Sequence, residues 1–127
     1  MRDGSGRRVA IRRIVFVTDE QALAPQADVT LGMEGWETTW IATLQEARAA
    51  LRQERRALFV VDLSLKNAAM PLLEELALAL ARTAIVALTA SRLDRILAQR
   101  FGATVVEKPL TMSALVAGIR ACVARPA

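Results

Sequence analysis

The chain reads as one open α/β domain, a parallel sheet with helices packed on both faces. Three observations predict this. Short apolar, β-branched runs alternate with helical patterns along almost the whole length, and such alternation marks strand–helix–strand units joined by right-handed crossovers. The run Ala57 to Val61 is continuously apolar, as a strand covered on both faces must be. The 127 residues, 54% of them hydrophobic, suffice for a single core without metal or disulfide support.

Residues 1–8 mix Gly4, Ser5 and Gly6 with charges and read as a mobile leader; the domain proper is expected over 9–127. Ile11 to Thr18 is β-branched and predicts the first strand, ending at the acidic pair Asp19-Glu20. Ala22 to Glu34 predicts a weak helix, with Pro25 tolerated in its first turn and Gly35 as the residue that ends it. Glu37 to Ala42 is the second strand. Thr43, with Glu46 three residues on, has the pattern of a capping box. The helix it starts should bury Leu44, Ala47 and Leu51 and leave Arg48, Arg52 and Arg55 outside.

Asp62 closes the third strand. Pro71 suits the first turn of a helix whose inner face is Leu72, Leu73, Leu76 and Leu80. Thr83 to Leu88 is the fourth strand, closed by Thr89. Ser91 and Asp94 begin a helix with Leu93, Ile96, Leu97 and Phe101 as its apolar stripe, followed by Gly102. Thr104 to Val106 is the fifth strand, closed by Glu107-Lys108-Pro109. Thr111 starts a last helix carrying Leu115, Ile119, Cys122 and Val123 on one face.

Composition removes several chemistries. There is no histidine and a single cysteine, Cys122, which excludes His/Cys zinc sites, Ser-His-Asp and Cys-His catalysis, and an intrachain disulfide. A reducing cytoplasm is the expected compartment. The uncharged stretch around Leu110 to Ile119 is too short to span a bilayer, and Arg12 and Arg13 interrupt any signal-peptide apolar region. Net charge is +4, and fifteen of the seventeen cations are arginine. Without interleaved aromatic residues, the N-terminal arginines read as solvated charge rather than a nucleic-acid surface. Trp36 and Trp40 read as packing residues.

In an open parallel sheet, ligands sit at the carboxyl ends of the strands. Those ends carry Asp19 and Glu20, Asp62, Thr89 and Lys108. Gathered carboxylates repel unless a cation lies among them. Oxygen ligands of this kind suit Mg²⁺, which is held by one or two carboxylates plus phosphate oxygens. A carboxylate can also act as a nucleophile toward phosphorus, with a hydroxyl and an ammonium holding the transferred oxygens. A dinucleotide-binding reading is disfavoured, because the turn after the first strand, Asp19 to Ala22, has no glycine.

Over roughly residues 11–124 the chain resembles the receiver domain of two-component response regulators. The matching pieces are Val17-Thr18-Asp19-Glu20, Phe59-Val60-Val61-Asp62-Leu63, Ala87-Leu88-Thr89-Ala90 and Glu107-Lys108-Pro109, each at a strand end. The resemblance implies a flavodoxin-like (βα)5 sandwich with sheet order 2-1-3-4-5. It implies that Asp62 is the phosphoacceptor, fed by a sensor histidine kinase or a phosphotransfer protein. It implies that Asp19, Asp62 and the Ser64 carbonyl hold Mg²⁺, with Glu20 beside them, and that Thr89 and Lys108 contact the phosphoryl group. A cis peptide before Pro109, a homodimer through helix 4, strand 5 and helix 5, and a C-terminal output domain belong to the same pattern. Such a domain is a signalling phosphoacceptor in the cytoplasm of a bacterium, not an enzyme acting on other substrates.

The sequence departs from that pattern at identifiable places. Thr18 takes the first acidic place, unless the acidic pair is Asp19-Glu20. Val105 stands where the family often has an aromatic switch residue three before the lysine. Lys66 and Met70 replace a proline and a glycine after the acceptor. The intervals from Asp62 to Thr89 and from Thr89 to Lys108 are short. These features define the alternative: a degenerate pseudo-receiver, a protein-interaction module that works without phosphate.

Overall fold

The computed structural model describes residues 12–54, 56–65, 69–79 and 84–124. The leader, Ile11, Arg55, Lys66, Leu80, Thr83 and the last three residues lie outside the described residues. Five strands, β1 (Arg12–Val17), β2 (Trp36–Ile41), β3 (Leu58–Asp62), β4 (Ile85–Thr89) and β5 (Thr104–Glu107), form one sheet in the order β2-β1-β3-β4-β5. All neighbours pair in parallel. The helices are α1 (Ala24–Gly32), α2 (Leu44–Gln53), α3 (Ala69–Ala79), α4 (Arg92–Arg100) and α5 (Met112–Ala124).

The period-two alternation of a strand sends successive side chains to opposite faces, and here both faces are packed. Val15, Val17, Phe59, Val61, Ile85 and Ala87 face one core with residues of α2, α3 and α4. Ile14, Phe16, Leu58, Val60, Val86 and Leu88 face another with residues of α1 and α5. β3 and β4 are buried at every position. Phe16 and Phe59, each at most 1% exposed, anchor the two sides; burying such a side chain fully contributes about 1.5–3 kcal/mol. Phe16 also stacks on Trp40 with ring centroids 4.0 Å apart. Trp36 is buried in the same core, so both tryptophans are packing residues.

Several boundaries and faces differ from the sequence expectation. α1 is shorter than Ala22–Glu34, because Pro25 must lie in the first turn and the helix therefore starts at Ala24. Its C-cap is Met33, and Gly35, with φ 88°, lies two residues further on. There it turns the chain into β2, which begins at Trp36 rather than Glu37. On α4 only part of the expected stripe faces inward: Leu97 is half-buried and Phe101 packs against the core, but Leu93 is 65% and Ile96 44% exposed, and the fully buried residue is Ala98. This helix lies over the β4–β5 edge of the sheet, where a small residue allows close approach. On α5 Leu115, Ile119 and Cys122 are buried as expected, but Val123 is exposed. It lies about 80° around the helix from Leu115 at 100° per residue, off the packed stripe.

Gly118 on α5 is required by proximity. A Cβ there would lie 2.3 Å from Cγ2 of Val106 on β5. Gly118→Ala is expected to destabilise the fold by about 1–3 kcal/mol through overpacking. Chemical denaturation checks this, and Val106→Ala in the same chain should recover part of the loss.

Candidate functional site

The sheet ladder runs one residue past the strands and fixes where each site residue starts. The Thr18 N–H donates to the Ile41 carbonyl at 2.9 Å, the Leu63 N–H to Leu88 at 2.9 Å, and the Lys108 N–H to Thr89 at 2.8 Å. β1, β3, β4 and β5 therefore deliver Thr18, Asp62, Thr89 and Lys108 to the same carboxyl edge. The Lys108–Pro109 peptide is cis.

Asp62 is the centre. It is 1% exposed, and its carboxylate accepts three hydrogen bonds. The Ser64 N–H donates to Oδ1 at 2.9 Å, in the local turn that aspartate commonly makes with the residue two ahead. The Thr18 hydroxyl donates to Oδ2 at 2.9 Å. The Lys108 ammonium donates to Oδ2 at 3.0 Å. Burial by itself pushes this carboxyl up. The Ser64 N–H, the Lys108 ammonium and the Thr18 hydroxyl together outweigh burial and hold it below the ordinary aspartate range. Burial likewise pushes the Lys108 ammonium down, but Asp62 and then Glu20 overcome this and raise it. Both groups are thus ionised at neutral pH.

Lys108 also reaches the Ser64 hydroxyl at 3.0 Å and Glu20 Oε1 at 3.4 Å. The sequence-predicted residues Asp62, Lys108, Glu20 and Ser64 are therefore brought together. Ser64 enters through its N–H and its hydroxyl. Asp19 is exposed and lines, with Glu20, Thr18 and Asp62, a cavity of about 430 Å³ whose inner wall is Phe16, Leu88 and Leu115. Thr89 is buried at the end of β4, and its hydroxyl has no hydrogen-bond partner among the described residues. The residue is among those lining a second cavity, between β4, β5 and the start of α4. The Thr18–Asp62 hydrogen bond was not predicted from the sequence. Its one signal is a hydroxyl residue at a strand end beside the strand that carries the acceptor.

Among the described residues no three carboxylate, imidazole or thiol groups gather closely enough to enclose a metal ion. A hard divalent ion that keeps most of its water needs only one or two carboxylates. Asp62, with Asp19 or Glu20 on the same cavity, meets that requirement, so the donor set fits Mg²⁺ chemically.

The depressed pKa of Asp62 gives stability a pH dependence with a defined sign. A carboxyl whose folded pKa lies below its unfolded value, about 3.9, stabilises the fold above that value and loses the contribution as pH falls through the folded pKa. Denaturation followed from pH 6 down to pH 2 should show this loss for the native chain. Asp62→Asn should flatten that part of the curve.

Similarity to solved structures runs along the whole domain. A CheY-like response regulator receiver domain from Methanospirillum hungatei JF-1 superposes with a TM-score of 0.77 at 24% identity, over 90% of this chain and 94% of that one. A receiver domain protein from Clostridium thermocellum gives 0.74 at 22% identity, over 88% and 94%. The receiver domain of the TMAO respiratory regulator TorR gives 0.74 at 24%, over 87% and 94%. The chain has the receiver fold. No family model and no curated protein matches the sequence, so the likeness lies in the shape. Asp62, Thr89 and Lys108 lie together at the carboxyl edge of this sheet, where their places at strand ends put them. No helix among the described residues is long and apolar enough to cross a membrane.

Proposed function

We propose that the chain is a response-regulator receiver domain that accepts a phosphoryl group on Asp62. The observation that carries this reading is the buried, ionised Asp62 carboxylate hydrogen-bonded to the Lys108 ammonium at 3.0 Å. A buried anion kept charged by its neighbours is poised as a nucleophile. An Asp62 oxygen attacks the phosphorus of a phosphohistidine. The O–P bond forms, the P–N bond breaks, and the leaving imidazole takes a proton. Lys108, already on Oδ2, follows the charge onto the new acyl phosphate. Asp62 with Asp19 or Glu20 and the Ser64 carbonyl would hold Mg²⁺, which supplies positive charge to the phosphoryl oxygens.

The donor is a histidine kinase or phosphotransfer protein. The receiving surface for a second copy or an output domain is α4, β5 and α5. Leu93 and Ile96 are exposed there beside the Arg95–Glu107 ion pair at 2.6 Å. Neighbours of the same fold include the receiver domain of a modulated diguanylate cyclase from Desulfovibrio desulfuricans and an adenylate cyclase from Rhodopirellula baltica. They support an attached output as the context of this chain.

One observation favours the phosphate-independent alternative: Thr18, a neutral donor, occupies Asp62 Oδ2 from the place where the family carries an acid. A single experiment separates the two. The protein is incubated with Mg²⁺ and phosphoramidate, and intact mass and peptide mapping follow. The receiver reading expects a gain of one phosphoryl group, mapped to Asp62. An unchanged mass with every small donor overturns it and leaves the interaction module.

A further inference from the structure

The cavity that Asp62 lines is deeper than an acidic site needs. Its volume is about 430 Å³, within the range of small-molecule sites. Its depth is apolar. Phe16, Leu88 and Leu115 are each at most 2% exposed and belong to the core on the α1–α5 side of the sheet. Trp40 also lines it, stacked on Phe16 with the ring planes 3° apart. The Trp40 Nε1–H donates to Asp28 Oδ1 at 2.8 Å, which fixes the ring. A hydrated Mg²⁺ ion binds through oxygen and gains nothing from such walls, so a metal accounts for the rim and leaves the depth unused. The rim is negative, although the whole chain carries +4. Asp19, Glu20 and Asp62 line the cavity, and among the described residues no lysine or arginine does. The ammonium that reaches these acids is Lys108, at 3.0 Å from Asp62 and 3.4 Å from Glu20. Three carboxylates against one ammonium leave negative charge in excess. The loop that carries the rim is pinned. The Thr18 hydroxyl accepts the Glu20 N–H at 3.0 Å, and the Gln21 side-chain amide donates to the Thr18 carbonyl at 3.3 Å. A rim and a wall already held in place lose little freedom when a ligand enters.

We propose that this cavity binds a small aromatic amine in its ammonium form. The ring occupies the apolar depth, where burial and an aromatic wall favour it. The ammonium lies at the rim and is matched by Asp19 and Glu20. A neutral molecule of the same shape fills only the depth. Occupancy also bears on the phosphoacceptor, a consequence that rests on the function proposed above. The bound ammonium engages the acids that would hold Mg²⁺, so phosphoryl uptake by Asp62 falls as the amine accumulates.

Tryptamine is a suitable probe, with 3-ethylindole as its uncharged analogue. In the first arm the ¹⁵N-labelled chain, without Mg²⁺, is titrated with each at pH 7 and ionic strength held constant with chloride. Tryptamine should shift the amides of residues 18–23 and the indole N–H of Trp40 saturably. The indole N–H of Trp36, which does not line the cavity, should stay. 3-Ethylindole should bind at the same amides about fivefold more weakly, the loss of one partly exposed ion pair. Asp19→Asn/Glu20→Gln alters two exposed side chains. It should bring tryptamine to the affinity of 3-ethylindole and leave 3-ethylindole unchanged. Leu115→Phe, which fills the cavity from its floor, should weaken both, with the amide spectrum checking that the chain is folded. Equal affinity of the native chain for the two molecules overturns the proposal. So does tryptamine affinity unchanged in the double variant, or shifts confined to another surface. In the second arm tryptamine is added to the incubation with phosphoramidate and Mg²⁺, and the rate of mass gain at Asp62 should fall as the cavity fills. An undiminished rate at saturating tryptamine overturns the coupling of cavity to acceptor. Failure of the phosphoacceptor reading shows separately, as no mass gain without tryptamine, while the first arm still decides on the cavity.

Discussion

Replacing Lys108 by methionine is expected to destabilise the fold by about 3 kcal/mol at neutral pH. The expectation follows from where the charge is left. Asp62 is 1% exposed, and the Lys108 side chain only 14%. Removing one partner of a buried ion pair typically costs about 3–5 kcal/mol, because the survivor keeps its desolvation penalty without its counterion. The lower end applies, since the Thr18 hydroxyl and the Ser64 N–H remain on the carboxylate. Asp62→Asn in the same chain removes the orphaned charge and should restore most of the loss, giving a coupling energy of about 2 kcal/mol. Urea denaturation of the two single variants and the double variant completes the cycle. A Lys108→Met chain within about 0.5 kcal/mol of the native one would show that the pair does not hold the site together. The same cycle links stability to function. On the proposed reading, a phosphoryl group on Asp62 would rearrange one of the contacts that keep this carboxylate ionised.

Much of this site could be read before any coordinates. Asp62, Thr89 and Lys108 each follow a short apolar run, and the alternation of strands with helices sends every such run in the same direction. Strand ends alone therefore placed them on one edge. The sheet order followed from resemblance, and the structure has it. Side-chain partners were not legible. Thr18 and Asp62 are 44 residues apart, and Lys108 and Glu20 are 88 apart. Their meeting depends on the register Val17↔Val61 and on where each loop leaves the sheet. Helix faces were legible where the core is deep. Leu72, Leu73 and Leu76 on α3 are fully buried, as their spacing requires. On α4 the same reasoning chose Leu93 and Ile96, which are exposed. Periodicity marks an apolar stripe but does not say whether the sheet or a partner covers it.

Thr18→Asp should turn a fold stabilised at neutral pH into one that needs a divalent ion. Thr18 is 3% exposed and touches Asp62 Oδ2 through a donated hydrogen bond. A carboxylate at that position sets two buried anions against one ammonium. Two such groups cannot both ionise without cost, so the pair retains a proton more readily than Asp62 alone. The sign of the pH response then reverses. The native chain loses the Asp62 contribution as pH falls, whereas a carboxyl with a raised folded pKa favours the fold at low pH and loses that contribution as pH rises. The variant is expected to be about 3 kcal/mol less stable than the native chain at pH 7 without metal, and closer to it near pH 4. Mg²⁺ should restore stability in proportion to RT ln(1 + [Mg²⁺]/Kd), because the introduced carboxylate and Asp19 form an adjacent acidic pair that the native chain lacks at these two positions. Thr18→Val supplies the reference. It removes only the hydroxyl, leaves Lys108 on Oδ2, and should cost about 1 kcal/mol with no new metal dependence. If Thr18→Asp behaves like Thr18→Val in the presence and absence of Mg²⁺, then position 18 does not govern the affinity of this edge for a divalent ion.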